Sequence, residues 1–297
     1  MADLRPMEFG EILDGALSLF RRHFGLFFKL SLTVMWLPLG VGLYWRLRFF
    51  NFQGAQAPEQ TLAAIQNDLL PIMLWGLVLF VVYECALLLL TAGSIRVISD
   101  SYLGRPPLFA EALSFGARKI VPLFLVGLGK GLLLAVVAIV CGVVVALVAA
   151  GGKAAGAGVV ALLVFTGVCL MLWLMLFIAC GYMLTTPTVV LESLPSAFDA
   201  FGRSWELTRG SKLKLLGLGF VAVLIASVLP AIVVQALGGV ILEVAPGIQS
   251  AWIIVSAVVP VMLAPIIPCI MTLAYYDSRV RREGFDLQLL SEQLGAG

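Results

Sequence analysis

Residues 192–212 read ESLPSAFDAFGRSWELTRGSK, and the runs on either side are almost wholly apolar. Six charged residues gather in this stretch, although only 12% of the chain is charged. On a helix, Phe198, Phe201, Trp205 and Thr208 fall on one face. Asp199, Arg203, Glu206 and Arg209 lie away from it, with Asp199 and Arg203 spaced for an i,i+4 pair and Glu206 and Arg209 for an i,i+3 pair. Ser196 with Asp199 resembles a capping box, and Gly210 can end the helix. So short and charged a segment predicts a helix lying in a membrane interface, aromatic side in lipid or against a bundle and charged side in water. A solvated loop helix is the plainer alternative.

The flanks decide the class. The chain has 297 residues, 61% of them hydrophobic, and a mean hydropathy of +1.07. Soluble domains are about 45–50% apolar and about 25% charged, so a soluble protein of this length could not bury this apolar surface. Six spans are expected: Phe24–Tyr44, Leu70–Ser94, Val121–Ala149, Val159–Thr185, Leu215–Leu237 and Ala251–Tyr276. Each can cross about 30 Å of hydrocarbon at about 1.5 Å per residue. The opening MADLRPMEFGEILDGALSLFRRH is charged and amphipathic and lacks the regions of a signal peptide, so the first apolar run is expected to stay as an anchor.

Fifteen of the 19 Lys and Arg residues fall on the side that holds the termini; Arg46, Arg48 and Lys153 fall opposite, and Lys130 lies within a span. This positive-inside bias predicts cytoplasmic termini. The segments FGEIL (9–13), FAEAL (109–113) and AFDAF (197–201) align on Glu11, Glu111 and Asp199, each followed by basic residues and then a span. The expected architecture is therefore an all-α membrane protein. It is one integral domain over 1–297, built as three parallel repeats of an amphipathic interfacial helix plus two spans, near 1–95, 96–186 and 187–297.

Two long stretches, PTVVLESLPSAFDAFGRSWELTRG (187–210) and YYDSRVRREGFDLQLL (275–290), resemble the two signatures of a bacterial multi-span membrane family. That family includes the membrane domain fused to some glycerophosphodiester phosphodiesterases. RPMEFGEILDGALSLFRRHFGLFF and SYLGRPPLFAEAL are similar to its other recurring segments. The resemblance implies a polytopic protein of the bacterial cytoplasmic (inner) membrane and no catalytic residue, because the catalytic domain of those fusions is a separate soluble barrel.

Intramembrane charges are the first candidate site. Glu84 and Lys130 lie about 15 and 14 Å from the inner ends of consecutive spans, which predicts an ion pair within the bundle. A proton or substrate relay is the functional reading of that pair; a structural pair, or a snorkelling Lys130 with a protonated Glu84, is the plainer one. Gly127 and Gly131 form a GxxxG, and Pro260, Pro265 and Pro268 should bend the last span. Tyr275 and Tyr276 fit an interfacial anchor. Arg203, Trp205, Arg209, Arg279, Arg281 and Arg282 are candidate contacts to anionic lipid head groups, although orientation by the positive-inside rule alone would also place such arginines.

Catalysis is not expected. There is one histidine, His23; the five cysteines sit in apolar runs without a CxxC; no P-loop, GxSxG or HExxH occurs. No cofactor, metal or nucleic-acid partner is implied. The first reading is a non-enzymatic scaffold, assembly partner or lipid-organising module in the bilayer. The second is a small-molecule or lipid transporter or channel on a pseudo-threefold six-helix bundle, although the Px[DE]xx[KR] motif of mitochondrial carriers is missing: its nearest match starts at Pro6 and Glu8 and ends in Glu11. A lipid-modifying enzyme comes third.

Overall fold

A computed structural model describes residues 5–53, 69–151, 156–244 and 246–284. Every regular element among them is helical. In chain order these are α1 (Phe9–Arg22), α2 (Phe24–Gln53), α3 (Leu69–Tyr102), α4 (Phe109–Gly151), α5 (Ala157–Gly181), α6 (Thr185–Leu191), α7 (Asp199–Thr208), α8 (Lys212–Val223), α9 (Leu229–Val244), α10 (Gln249–Leu263) and α11 (Ile266–Glu283). Six helical runs are long and apolar enough to cross a membrane: Phe24–Tyr44, Met73–Tyr102, Phe109–Gly151, Gly158–Leu191, Lys212–Ile241 and Ala251–Glu283. They match the six expected spans but run further at the charged ends. TLAAIQNDL, apart from Leu69, and the middle of GGKAAGAG lie outside the described residues, as does the end of the second signature.

The expected amphipathic segments take different forms. The first is a separate helix, α1, which buries Ile12, Ala16 and Phe20 at four-residue steps and carries Glu11 in its first turn and Arg21 and Arg22 in its last. That charge order complements the helix dipole. The third is also separate, as α7. The second, FAEAL, is not: α4 runs unbroken from Phe109, with Pro122 inside it.

Proline explains the breaks. Pro265 separates α10 from α11, and Pro268 falls in the first turn of α11, where a backbone N–H would have no intrahelical acceptor in any case. Pro230 has no N–H to offer Ala226, and the chain passes this point through a π turn at Leu224–Val228.

Of the described residues, 10–120 and 219–273 pack as one unit and 5–9, 121–218 and 274–284 as another. In the first, Leu30, Val34 and Met35 of α2 meet Ala86 and Leu90 of α3 and Val261 of α10 in a buried cluster. Phe20 of α1 stacks on Phe27, ring centroids 5.7 Å apart. Between α1 and α2, the His23 ring hydrogen-bonds the Ser101 hydroxyl at 2.8 Å. Burial, helped by the charge of Arg22, holds this imidazole below its ordinary pKa.

A close backbone crossing joins α3 and α4. A Cβ on Gly116 would sit 2.9 Å from the Leu89 carbonyl oxygen and 3.2 Å from the Gly93 nitrogen, and one on Gly93 would sit 3.3 Å from the Ala112 oxygen. Backbone cannot yield as a side-chain tip can, so Gly116 demands glycine, while Gly93 is tight. By contrast, a Cβ on Gly127 or Gly131 would meet nothing within 4 Å. The expected GxxxG therefore makes no close contact, because both glycines lie on an open face of α4. Gly116→Ala should lower the melting temperature in detergent by about 4–10 °C, the effect of overpacking by about 1–3 kcal/mol. Gly127→Ala, tested beside it, should leave the transition within about 2 °C.

Candidate functional site

The opening stretch folds around its own cap. The Asp199 carboxylate accepts from the Ser196 N–H at 3.0 Å, and the Phe198 N–H donates to the Ser196 hydroxyl at 3.3 Å. The pairing has the reciprocal character of a capping box. At the other end Gly210 adopts φ +84°, the left-handed conformation that a helix terminator needs.

The aromatic face of α7 docks on the C-terminal end of α5. Phe201 meets Tyr182 edge-on at 5.1 Å, and Trp205 lies 5.5 Å from Tyr182 and 5.7 Å from Phe177. Trp205 covers Gly181 so closely that a Cβ there would overlap its indole ring. Ser204 and Thr208 both donate to the Gly181 carbonyl, at 2.9 and 3.2 Å. Lys212, the first residue of α8, holds its ammonium 3.5 Å from the Phe177 ring and 3.6 Å from the Trp205 ring. Such contacts fix a cation by the ring quadrupole.

The polar face is tied by carboxylates. Arg203 donates from Nε to Glu192 at 2.9 Å and pairs with Glu283, while Glu206 stands 3.9 Å away. Tyr275 donates its hydroxyl to Glu192 at 2.7 Å, and Arg279 pairs with Glu283 at 3.0 Å. Burial alone would lower the Arg203 pKa; the hydrogen bonds and charges of Glu192 and Glu283 outweigh it and hold the guanidinium above its ordinary value. Neither helical pair read from the sequence forms: Arg203 turns to Glu192 and Glu283 instead of Asp199, and Glu206 faces Arg203 instead of Arg209.

A second knot centres on Asp277, whose side chain is 4% exposed. It accepts from the Met7 N–H at 2.8 Å, from Lys214 Nζ at 2.6 Å and from Arg281 Nε at 3.0 Å. The Met7 carbonyl in turn accepts from Lys214 Nζ and from Arg281 Nη2, each at 2.7 Å. Both backbone polar groups of Met7 are thus held by α8 and α11 side chains.

Beside this knot opens a pocket of about 330 Å³ lined by Leu207, Arg209, Gly210, Ser211, Ser278, Arg281 and Arg282. The six residues expected to meet lipid head groups therefore separate. Arg203 and Arg279 are engaged by carboxylates and Trp205 packs inward. Arg209, Arg281 and Arg282 come together, and of these only Arg281 has a carboxylate partner among the described residues. Tyr275 and Tyr276 are buried, at 0% and 4% exposure, and do not form an outward-facing anchor. Sequence reasoning missed Asp277, Lys214 and Glu283; Arg281 and Arg279 stand one turn from the two acids, but Met7, Lys214 and Arg203 reach them from tens to hundreds of residues away.

Glu84 belongs to the first unit, half-buried on α3. Lys130 belongs to the second, where its ammonium reaches the Tyr182 carbonyl at 3.4 Å. Among the described residues, no group of three or more His, Cys, Asp and Glu side chains could hold a metal ion.

The chain matches no protein-family model, no curated protein and no solved structure. The reading of this site therefore rests on its own residues.

Gly181→Ala should unseat Trp205 and lower stability by about 1–3 kcal/mol, read as a fall in melting temperature. Adding Trp205→Leu to Gly181→Ala should restore part of the loss, since the leucine leaves room for the new methyl. A double variant no better than Gly181→Ala alone would show that the overlap is not the cause.

Proposed function

We propose that this chain is a non-enzymatic six-span protein of the bacterial cytoplasmic membrane that organises anionic lipid, and through it assembly partners, at its basic face. Three parallel repeats carry that face, and the 15 Lys and Arg residues on one side argue that it and both termini are cytoplasmic. The observation that supports the reading best is the gathering of Arg209, Arg281 and Arg282 around one pocket, with Arg209 and Arg282 meeting no carboxylate among the described residues.

Physical chemistry favours lipid as what meets this protein. The helices leave large apolar side chains uncovered: Leu147 and Phe165 are 67% and 68% exposed, and Leu132 and Leu162 are 64% and 65% exposed. Such surface on α4 and α5 needs hydrocarbon around it. Arginines at the charged ends of apolar helices then sit at head-group depth, where each contributes about 1 kcal/mol toward an anionic surface. Guanidinium also matches phosphate through two parallel N–H donors, which an ammonium cannot do.

The test is native mass spectrometry of the full chain in lipid discs of mixed zwitterionic and anionic composition. Wild type should retain anionic lipid selectively, and raised salt should weaken that retention. Arg209→Gln with Arg282→Gln should cut it about thirtyfold, the equivalent of about 2 kcal/mol. Equal retention by the double variant and wild type would contradict the proposal.

A further inference from the structure

The arginine pocket has features that a diffuse basic surface lacks. Ser278 is 3% exposed and still lines it, and Leu207 at 1% exposure forms part of its wall. Gly210, without a Cβ, lets the Arg282 guanidinium come within 3.1 Å of where that atom would be. Ser211 precedes α8 and accepts the Leu215 N–H at 3.0 Å through its carbonyl, so the unpaired N–H groups of the first α8 turn begin at the pocket.

No carboxylate lines the pocket among the described residues, and Asp277, the partner of Arg281, is already occupied. Asp277 receives hydrogen bonds from Met7, Lys214 and Arg281, so its charge is balanced within the protein. Arg281 uses Nε on Asp277 and one Nη2 hydrogen on Met7, which fixes its plane and leaves further N–H groups unspent. Among the residues that line the pocket, Arg209, Arg281 and Arg282 are basic and none is acidic. The Ser211 and Ser278 hydroxyls donate within the protein, to the Thr208 and Ala274 carbonyls, so the side-chain donors left at the pocket are guanidinium N–H groups from two segments, the Arg209–Ser211 turn and the end of α11.

We infer that this pocket is a phosphate-recognition site that selects a phosphomonoester, with three terminal oxygens and up to two negative charges, over a phosphodiester. This rests on the anionic-lipid reading above and narrows it. A diester offers only two free oxygens and one charge, so fewer of the guanidinium N–H groups would find an acceptor and less of the positive charge would be balanced. A monoester engages more of them and gains more from the positive charge. The shared chemistry is that of a phosphorylated head group or of a free phosphate compound.

The experiment uses the full-length protein in two settings. In lipid-free micelles, melting is followed with inorganic phosphate or dimethyl phosphate at equal ionic strength. In discs, native mass spectrometry compares phosphatidic acid with phosphatidylglycerol. A preference of at least tenfold for the monoester is expected, with Arg282→Lys, which keeps the charge but loses the planar fork, reducing the ratio of monoester to diester binding severalfold. Protection by inorganic phosphate alone would identify a free phosphate compound as the occupant, and selection of phosphatidic acid alone would identify a head group; either supports the site. Equal binding of the two lipids and of the two soluble phosphates would overturn this inference and leave the anionic-lipid reading standing. No dependence on Arg209 or Arg282 for any anion would overturn both. Arg209→Lys gives the same comparison should Arg282→Lys fail to fold.

Discussion

Two carboxylates, Glu192 and Asp277, organise the polar end of the second unit. Each sits where apolar helices converge, and a charge in such a place is costly unless it is both paired and hydrogen-bonded. Glu192 meets that demand with Arg203 and Tyr275; Asp277 meets it with Lys214, Arg281 and the Met7 N–H. Because the donors come from α7, α8, α11 and the N-terminal segment, satisfying two acids fixes four pieces of chain at once. The docking of α7 by Trp205 over Gly181 then follows with little freedom left.

This arrangement also determines which arginines can act. Arg203 and Arg279 spend their donors on internal carboxylates, so they hold the frame. Arg281 does both, since its pairing with Asp277 aims it beside the pocket. Arg209 and Arg282 line the pocket and meet no carboxylate among the described residues. A face that sequence reads as six equivalent lipid contacts is thus divided into side chains held by internal partners and a smaller pocket lined by arginines.

Much of this was legible in the sequence, and the reasons are local. Span length and hydropathy mark the six apolar runs because the hydrocarbon thickness sets one scale for all of them. Ser196, Asp199 and Gly210 mark the ends of α7 because caps are made by neighbours in sequence. Pro265 marks the last break for the same reason. What escaped was non-local. Arg203 has an acid four residues away, yet its partners are Glu192 and Glu283, brought by tertiary packing. The GxxxG of Gly127 and Gly131 reads as a crossing and lies open, whereas Gly93 and Gly116, on different helices and in no motif, make the close one. The second amphipathic segment merges with α4, which runs on through Pro122 without a break.

The central claim is that internal carboxylates hold α7 and so build the pocket beside it. Hydrogen exchange across residues 199–214, compared between wild type and Arg203→Gln in the same detergent, tests it most directly. The account predicts exchange at least tenfold faster over α7 and the following turn in the variant, with α2 and α3 unchanged, because Glu192 and Glu283 lose the donor that ties them to this helix. Unaltered protection over 199–214 would contradict it, since α7 would then be held by its aromatic face alone.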